Sequence, residues 1–185
     1  MRSKQARKNY LVFLFSNSIA SLAAGLFSPF YIIFVQGFGK SLGQFGLSIG
    51  LMALAGAITS YFAGRHSDQL GRKPFLIVGG FILSIIVLAY TLITNLFQLY
   101  LLQILNGVIS SMNSTIGTTF LADLTRRSTR GRHIGRYLAV TGVITAFSLM
   151  IAGFLAVSWG YKIVFYIVAT LIFLSTLILF HIKEK

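Results

Sequence analysis

Apolar residues form long runs along the chain, and short segments that carry most of its charges separate these runs. A helix of about 20 residues crosses the ~30 Å hydrocarbon core of a bilayer. The pattern therefore predicts six transmembrane helices, over residues 10–36, 46–63, 75–93, 96–121, 137–157 and 164–182. No charge occurs between Lys73 and Asp123, so we expect Thr94 and Asn95 to form the turn of a hairpin between the third and fourth helices.

Composition supports a membrane protein. The 185 residues are 56% hydrophobic and 10% charged, which is too apolar for a water-soluble domain. We expect one bundle over residues 1–185, surrounded by the lipid bilayer. The net charge of +13 does not indicate a nucleic-acid partner, because the basic residues lie between apolar runs and not on one soluble face. The first run lacks a small-residue cleavage site, so we interpret it as a retained helix and not a signal peptide.

The basic residues are distributed asymmetrically between the two sides of the predicted bundle. Fourteen of the sixteen Lys and Arg lie at the termini or in the second and fourth loops, and only Lys40 and Lys162 lie on the other side. Loops rich in Lys and Arg stay in the cytoplasm. We therefore expect a multi-pass protein of the plasma membrane with both termini cytoplasmic.

Two of the predicted helices carry polar stripes. On the first helix the stripe includes Asn17 and Ser21, and on the fourth it consists of Gln103, Asn106, Ser110 and Asn113. Such a stripe faces either a water-accessible cavity or another helix, where its amides hydrogen-bond across the interface for about 1 kcal/mol each. We favour a cavity that forms the path of a small-molecule substrate. The third and sixth helices are nearly apolar all round, so we expect them to face lipid.

The segment between the second and third helices reads GRHSDQLGRK, over residues 64–73. We expect Gly64 to let two helix ends approach closely and Gly71 to provide a turn with positive φ. Arg72 and Lys73 hold the loop on the cytoplasmic side. An interpretation in which the basic residues only set the topology and the glycines only form a turn leaves Asp68 unexplained. This Gly-x-x-x-Asp-x-x-Gly-Arg-Lys pattern resembles the loop between the second and third helices of major facilitator superfamily transporters.

The fourth loop is similar to the corresponding loop of the same superfamily, although its pattern is less specific. It contains Asp123 followed by Arg130-Gly131-Arg132. The resemblance implies that these residues and the 64–73 segment form a cytoplasmic gate, in which Asp68 latches the chain against the other half of the transporter. Asp68 and Asp123 could form a network with Arg72 and Arg132, or Asp68 could accept backbone N–H groups at a neighbouring helix N-terminus. The alternative to a latch is ordinary exposed ion pairs worth under ~1 kcal/mol.

The resemblance covers only the amino-terminal six-helix half of a twelve-helix transporter. It implies two inverted three-helix repeats, and a shift of 89 residues pairs Gly71 with Gly160 and Lys73 with Lys162. The fourth helix departs from proton antiporters of the superfamily, because Gln103 stands where they usually have arginine. The predicted spans contain no Asp, Glu, Lys or Arg away from their ends. A carboxylate for proton coupling must therefore come from outside this chain.

These patterns predict transport of a small solute by alternating access. Because one half lacks the opposite wall of the cavity, we expect a homodimer or a complex with a second six-helix bundle. Two alternatives remain open, namely a non-transporting membrane subunit and an inactive fragment of a twelve-helix transporter. The sequence contains no recognisable catalytic nucleophile, metal cluster or phosphate loop, so we expect neither an enzyme nor a cofactor.

Overall fold

The computed structural model describes residues 4–36, 41–158 and 160–183. Within these ranges the chain is all-α. Its helices are α1 (Lys4–Gln36), α2 (Leu42–Leu70), α3 (Arg72–Ala89), α4 (Leu96–Asp123), α5 (Arg130–Ser158) and α6 (Gly160–Leu179), with a short 3-10 helix at Arg127–Thr129.

Five of the six helices are long and apolar enough to cross a membrane. The exception is α4, whose 28 residues extend about 42 Å at 1.5 Å per residue but include the polar stripe. Length alone therefore permits α4 to cross a bilayer, and its composition sets it apart from the other five.

Several helices extend beyond the predicted boundaries. The α1 helix begins at Lys4 and α5 at Arg130, six and seven residues before the apolar runs begin, and α2 continues seven residues past its run to Leu70. Most of the segment 64–73 is therefore helical, and the prediction of a loop there was wrong. A helix satisfies its own backbone hydrogen bonds in water as well as in lipid, so an apolar run marks the membrane boundary and not the helix end.

The turn between α3 and α4 lies where the sequence places it. The Asn95 side chain accepts a hydrogen bond from the backbone N–H of Gln98 at 2.9 Å, which caps the first turn of α4. The α3 helix ends at Ala89, four residues before the predicted boundary.

The helices pack as a series of neighbouring pairs. The α3 helix lies between α4 and α6, and α1 lies between α6 and α5, while α2 packs extensively against α4 alone. Both α2 and α5 keep large apolar side chains on their surfaces, including Leu54, Ile58, Phe147 and Phe154. The α6 helix packs on both α1 and α3, so it faces lipid on one side only. On that side Phe173 and Leu174 are exposed.

Close helix contacts occur at small residues. A Cβ atom added to Gly107 of α4 would collide with the backbone of Met52 in α2, and one added to Gly25 of α1 would lie 2.6 Å from Ser148 Cβ in α5. In the α2–α4 pair, Gly56 and Ser60 face Gly107 and Ser111, with 2.6 Å between the two serine hydroxyls. Small residues four apart let membrane helices approach closely.

Two apolar clusters form the core, one towards each end of the bundle. The first joins Phe30 and Phe34 of α1 to Tyr90 and Phe165, and the second includes Phe13, Phe120 and Leu179. The space between the clusters contains the main cavity.

Candidate functional site

The main cavity has a volume of about 770 Å³ and lies between the two apolar clusters. Residues of α1, α2, α3, α4 and α6 line it. Its polar lining consists of amides and hydroxyls: Ser16, Asn17, Ser60, Asn106, Ser110, Ser111, Asn113, Ser114, Ser175 and Thr176. A cavity that combines these groups with aromatic and aliphatic side chains has the chemistry of a small-molecule site.

Four of the six predicted path residues line this cavity, namely Asn17, Asn106, Ser110 and Asn113. The Ser110 hydroxyl donates to Asn106 Oδ1 at 2.8 Å, and Asn17 Nδ2 donates to the backbone carbonyl of Phe13 at 2.9 Å. Asn113 Oδ1 is buried and accepts no hydrogen bond from the described residues. These amides retain hydrogen-bonding capacity that a bound solute could use.

Gln103 is not among the cavity-lining residues, although the stripe placed it on the substrate path. It is only 1% exposed and lies in a hydrogen-bonded network that joins α1, α2 and α4 to the residue that follows α3. Its Nε2 donates to the Tyr31 hydroxyl and to Ser48 Oγ, and its Oε1 accepts from Tyr90 OH at 2.6 Å. At this residue the structure supports the interpretation that amides hold helices together.

Ser21 also lies outside the cavity lining. Its backbone carbonyl accepts a hydrogen bond from Thr145 Oγ1 of α5 at 3.4 Å, so this turn of α1 faces α5. A role for Ser21 in the substrate path stays a prediction.

The sequence interpretation overlooked the contribution of α2 to the cavity. Met52, Gly56 and Ser60 of this helix line it. The spacing of Gly56 and Ser60, four residues apart, was the available signal, because small residues at this spacing mark a close helix contact.

The charged end of the bundle is the end where α1 and α5 begin and where α6 ends. There, Tyr10 OH donates to the backbone carbonyl of His133 at 3.0 Å, and Asn9 Nδ2 donates to the carbonyl of Lys183 at 2.8 Å. Lys73 Nζ donates to the carbonyl of Ile182 at 2.6 Å, so it satisfies a carbonyl group just beyond the C-terminus of α6.

In the 64–73 segment the predicted turn at Gly71 is confirmed, and the predicted close contact at Gly64 is not. Gly71 has φ of +86° and joins α2 to α3, as predicted. A Cβ added to Gly64 would meet no atom within 4 Å in the described chain, so the expected close approach at Gly64 is absent there. The Asp68 side chain lies outside the described residues, and its latch role stays a prediction.

Asp123 makes an ion pair with Arg72, and Arg72 also donates to the backbone carbonyl of Thr119 at 3.0 Å. This contact joins the start of α3 to the end of α4. Arg132 is exposed, and the structure gives it no ion pair with a described residue. Arg130 is partly buried, and its Nε has no hydrogen-bond partner among the described residues. The Arg72 part of the expected network is therefore formed.

The fold and cavity define a multi-pass, all-α membrane protein with an internal polar site. Residues 13–185 match the Major Facilitator Superfamily, and the chain belongs to this family.

Similar proteins fall into two groups, according to the share of the relative's length that the match covers. The chain is 34% identical over 157 residues to an uncharacterized MFS-type transporter, YitZ, of Bacillus subtilis, and the match covers 85% of the chain and 96% of YitZ. It is 29% identical to the multi-drug resistance efflux pump PmrA of Streptococcus pneumoniae and 24% identical to the quinolone resistance protein NorA of Staphylococcus aureus. Each of these matches covers 96% of the chain but 46% of the relative, so the chain spans about half the length of both proteins.

Proposed function

We propose that the chain is a six-helix half of an alternating-access transporter that moves a small solute across the membrane. The observation that carries the proposal is the 770 Å³ cavity, because amides and hydroxyls that include Asn106, Ser110 and Asn113 line it within a largely apolar bundle. Membership of a transporter family and similarity to proteins named as efflux pumps support the same function. The neutral amides and hydroxyls of the lining are compatible with many solutes, so the substrate class remains broad.

In this proposal all six helices cross the bilayer as two inverted repeats of three. Exchanging α1, α2 and α3 with α4, α5 and α6 maps the α2–α4 pair onto α5–α1 and the α1–α6 pair onto α4–α3, and both pairs pack extensively. Gly71 joins α2 to α3, and Gly160 is the first residue of α6. Both glycines have positive φ. They are 89 residues apart, the shift that relates the two repeats. These correspondences support an origin from one three-helix unit.

We propose that the charged end faces the cytoplasm. The contacts of Tyr10 with His133 and of Lys73 with Ile182 bring the basic residues of four segments together at this end. Lys162 lies near the start of α6, at the opposite end. Because Lys- and Arg-rich segments remain on the inner side, this asymmetry supports cytoplasmic termini in a plasma-membrane protein.

The proposed partner is a second six-helix bundle, and a second copy of this chain satisfies the requirement. The α2 and α5 helices are each packed extensively on one side only and expose apolar residues elsewhere. The match covers 96% of YitZ, and this coverage supports a six-helix bundle as a unit. In a homodimer, Asp68 of one copy could latch against the beginning of α5 near Arg136 in the other, as halves contact each other in the superfamily.

Transport by the purified full chain in proteoliposomes tests this function. Suitable probes are a quinolone and the dye ethidium, because relatives are named for quinolone and multidrug resistance. We expect uptake above that of empty liposomes, and we expect Asn106→Ala to reduce it severalfold without loss of the assembled protein in size-exclusion chromatography. Thr118→Ala is the matched control, since Thr118 is an exposed polar residue of α4 outside the cavity lining.

Two outcomes contradict the proposal. Uptake equal to that of empty liposomes for both probes, from well-folded protein, favours a non-transporting subunit. Uptake that Asn106→Ala and Thr118→Ala leave equally unchanged means that the solute does not pass through this cavity. Cross-linking between cysteines introduced at Gln69 and Arg136 tests the dimer separately, and no intermolecular product under any transport condition argues against the latch.

A further inference from the structure

A second cavity, of about 540 Å³, lies at the connection between α4 and α5. Ala6 of α1 and residues 123–128 line it. It lies at the charged end of the bundle, away from the main cavity, and the two share no lining residue. The transport proposal therefore assigns it no role.

This connection, together with the first turns of α5 that follow it, is strongly basic. Five arginines lie within residues 126–136: Arg126, Arg127, Arg130, Arg132 and Arg136. Arg126 and Arg127 are exposed and line the cavity, and their side chains make no hydrogen bond or ion pair within the part of the chain that the structure describes. Two guanidinium groups at one cavity form a site suited to bidentate recognition of phosphate.

The one acidic residue in the lining is Asp123. Its carboxylate pairs with Arg72, which reduces its repulsion of an incoming anion. The net field at the cavity is therefore positive.

Further hydrogen-bond donors lie beside Arg126 and Arg127. The Ser128 side chain is in the cavity lining, and the neighbouring Thr129 Oγ1 and Arg130 Nε are buried without a hydrogen-bond partner among the described residues. Buried polar groups in proteins nearly always have a partner, which can be a bound ion or water. The 29-residue helix α5 begins at Arg130, so the positive end of its dipole adds to the same field.

The position of the cavity favours a lipid over a soluble anion. Its lining includes Leu124 and Ala6, which offer apolar contact beside the arginines. The cavity follows directly after the last turn of α4 and precedes α5, so in a membrane-spanning bundle it lies at the level of the headgroups. Its volume of about 540 Å³ is larger than a bare phosphate ion fills.

We propose that the cavity between α4 and α5, with Arg126 and Arg127 at its wall, binds the phosphate headgroup of an anionic phospholipid. Clusters of four or more basic residues next to a membrane helix attract anionic lipids. The structure adds a defined pocket in which two of the five arginines are set apart from the others. Binding here does not depend on transport and stands or falls separately from it.

Lipid binding to the purified full chain tests the site. Phosphatidylglycerol and phosphatidylcholine are compared in mixed micelles by native mass spectrometry. We expect the wild-type chain to bind phosphatidylglycerol at least about tenfold more tightly, and we expect Arg126→Gln with Arg127→Gln to remove most of that preference. The charge-conserving pair Arg126→Lys with Arg127→Lys should retain part of it, because Lys binds phosphate as a point charge.

The matched control is Arg132→Gln with Arg136→Gln, which removes the same charge from the same connection at residues outside the cavity lining. We expect less than about a threefold loss from this pair. An equal loss from both Gln pairs overturns the proposal, because it indicates general attraction to the basic surface. Displacement of the lipid by millimolar glycerol phosphate would identify a site for soluble phosphate esters and overturn the lipid assignment. Retained preference in the Arg126/Arg127 Gln pair would also overturn it.

Discussion

Gly107 of α4 lies directly against the backbone of Met52 in α2, and replacing it with alanine tests how tightly these helices are packed. The new methyl group would lie 2.9 Å from the Met52 carbonyl carbon and 3.0 Å from its Cα, both shorter than ordinary van der Waals contact. Backbone atoms cannot rotate away, so the two helices must separate. Overpacking of this kind costs about 1–3 kcal/mol.

The control for this substitution is Gly142→Ala in α5, where an added Cβ meets no atom within 4 Å in the described chain. Both variants gain up to ~1 kcal/mol from the higher helix propensity of alanine. The difference between their free energies of unfolding therefore isolates the packing cost. We expect Gly107→Ala to be less stable than Gly142→Ala by about 1–3 kcal/mol.

Unfolding of the purified protein in mixed micelles, followed by circular dichroism as dodecyl sulfate is increased, measures both free energies. Combining Gly107→Ala with Gly56→Ala adds a further check, because Gly56 packs on the Gly107 carbonyl. Once the helices have separated, the second substitution should cost less than it does alone. Equal stability of Gly107→Ala and Gly142→Ala would refute the close α2–α4 contact.

The same unfolding assay checks three other substitutions. Gln103→Leu removes three interhelical hydrogen bonds worth ~0.6 kcal/mol each, so we expect a loss of about 2 kcal/mol, and no loss would mean that the network is not formed. Asp123→Asn should cost under ~1 kcal/mol, because its pair with Arg72 is partly exposed, and the cost should disappear in high salt. Gly160→Ala should cost about 1–2 kcal/mol because φ there is +68°, whereas Gly153→Ala, in open space, should not.

The long apolar runs allowed the helices to be predicted because each run reflects the thickness of a bilayer. The ends of the helices were harder to predict. The residues from Gly64 to Leu70 are polar, yet they continue α2, because an α-helix needs no apolar surroundings once it has left the membrane. Only Gly71, with its positive φ, ends that helix, and this residue was identifiable from the sequence.

Only part of the candidate site was predictable, because helical spacing does not show how helices pack on one another. Spacing along α4 placed Gln103, Asn106 and Asn113 on one stripe, but a stripe does not reveal which neighbour covers each residue. Tyr31 of α1 and Tyr90, at the end of α3, hydrogen-bond to Gln103, while Asn106 remains at the cavity. Those partners are 72 and 13 residues away in the chain, and helical periodicity contains no information about such pairings.

Extensive packing of α2 on α4 alone and of α5 chiefly on α1 leaves each of these two helices with one main packing partner. The four remaining helices contact one another in the continuous series α1, α6, α3 and α4. Phe45 of α2 and Ala152 of α5 also pack on the cluster that contains Phe34 and Tyr90, so a tilt of either helix would require that cluster to repack. The bundle thus consists of four serially packed helices with α2 and α5 at its two rims, where lipid or a protein partner must cover the apolar residues that these two helices expose.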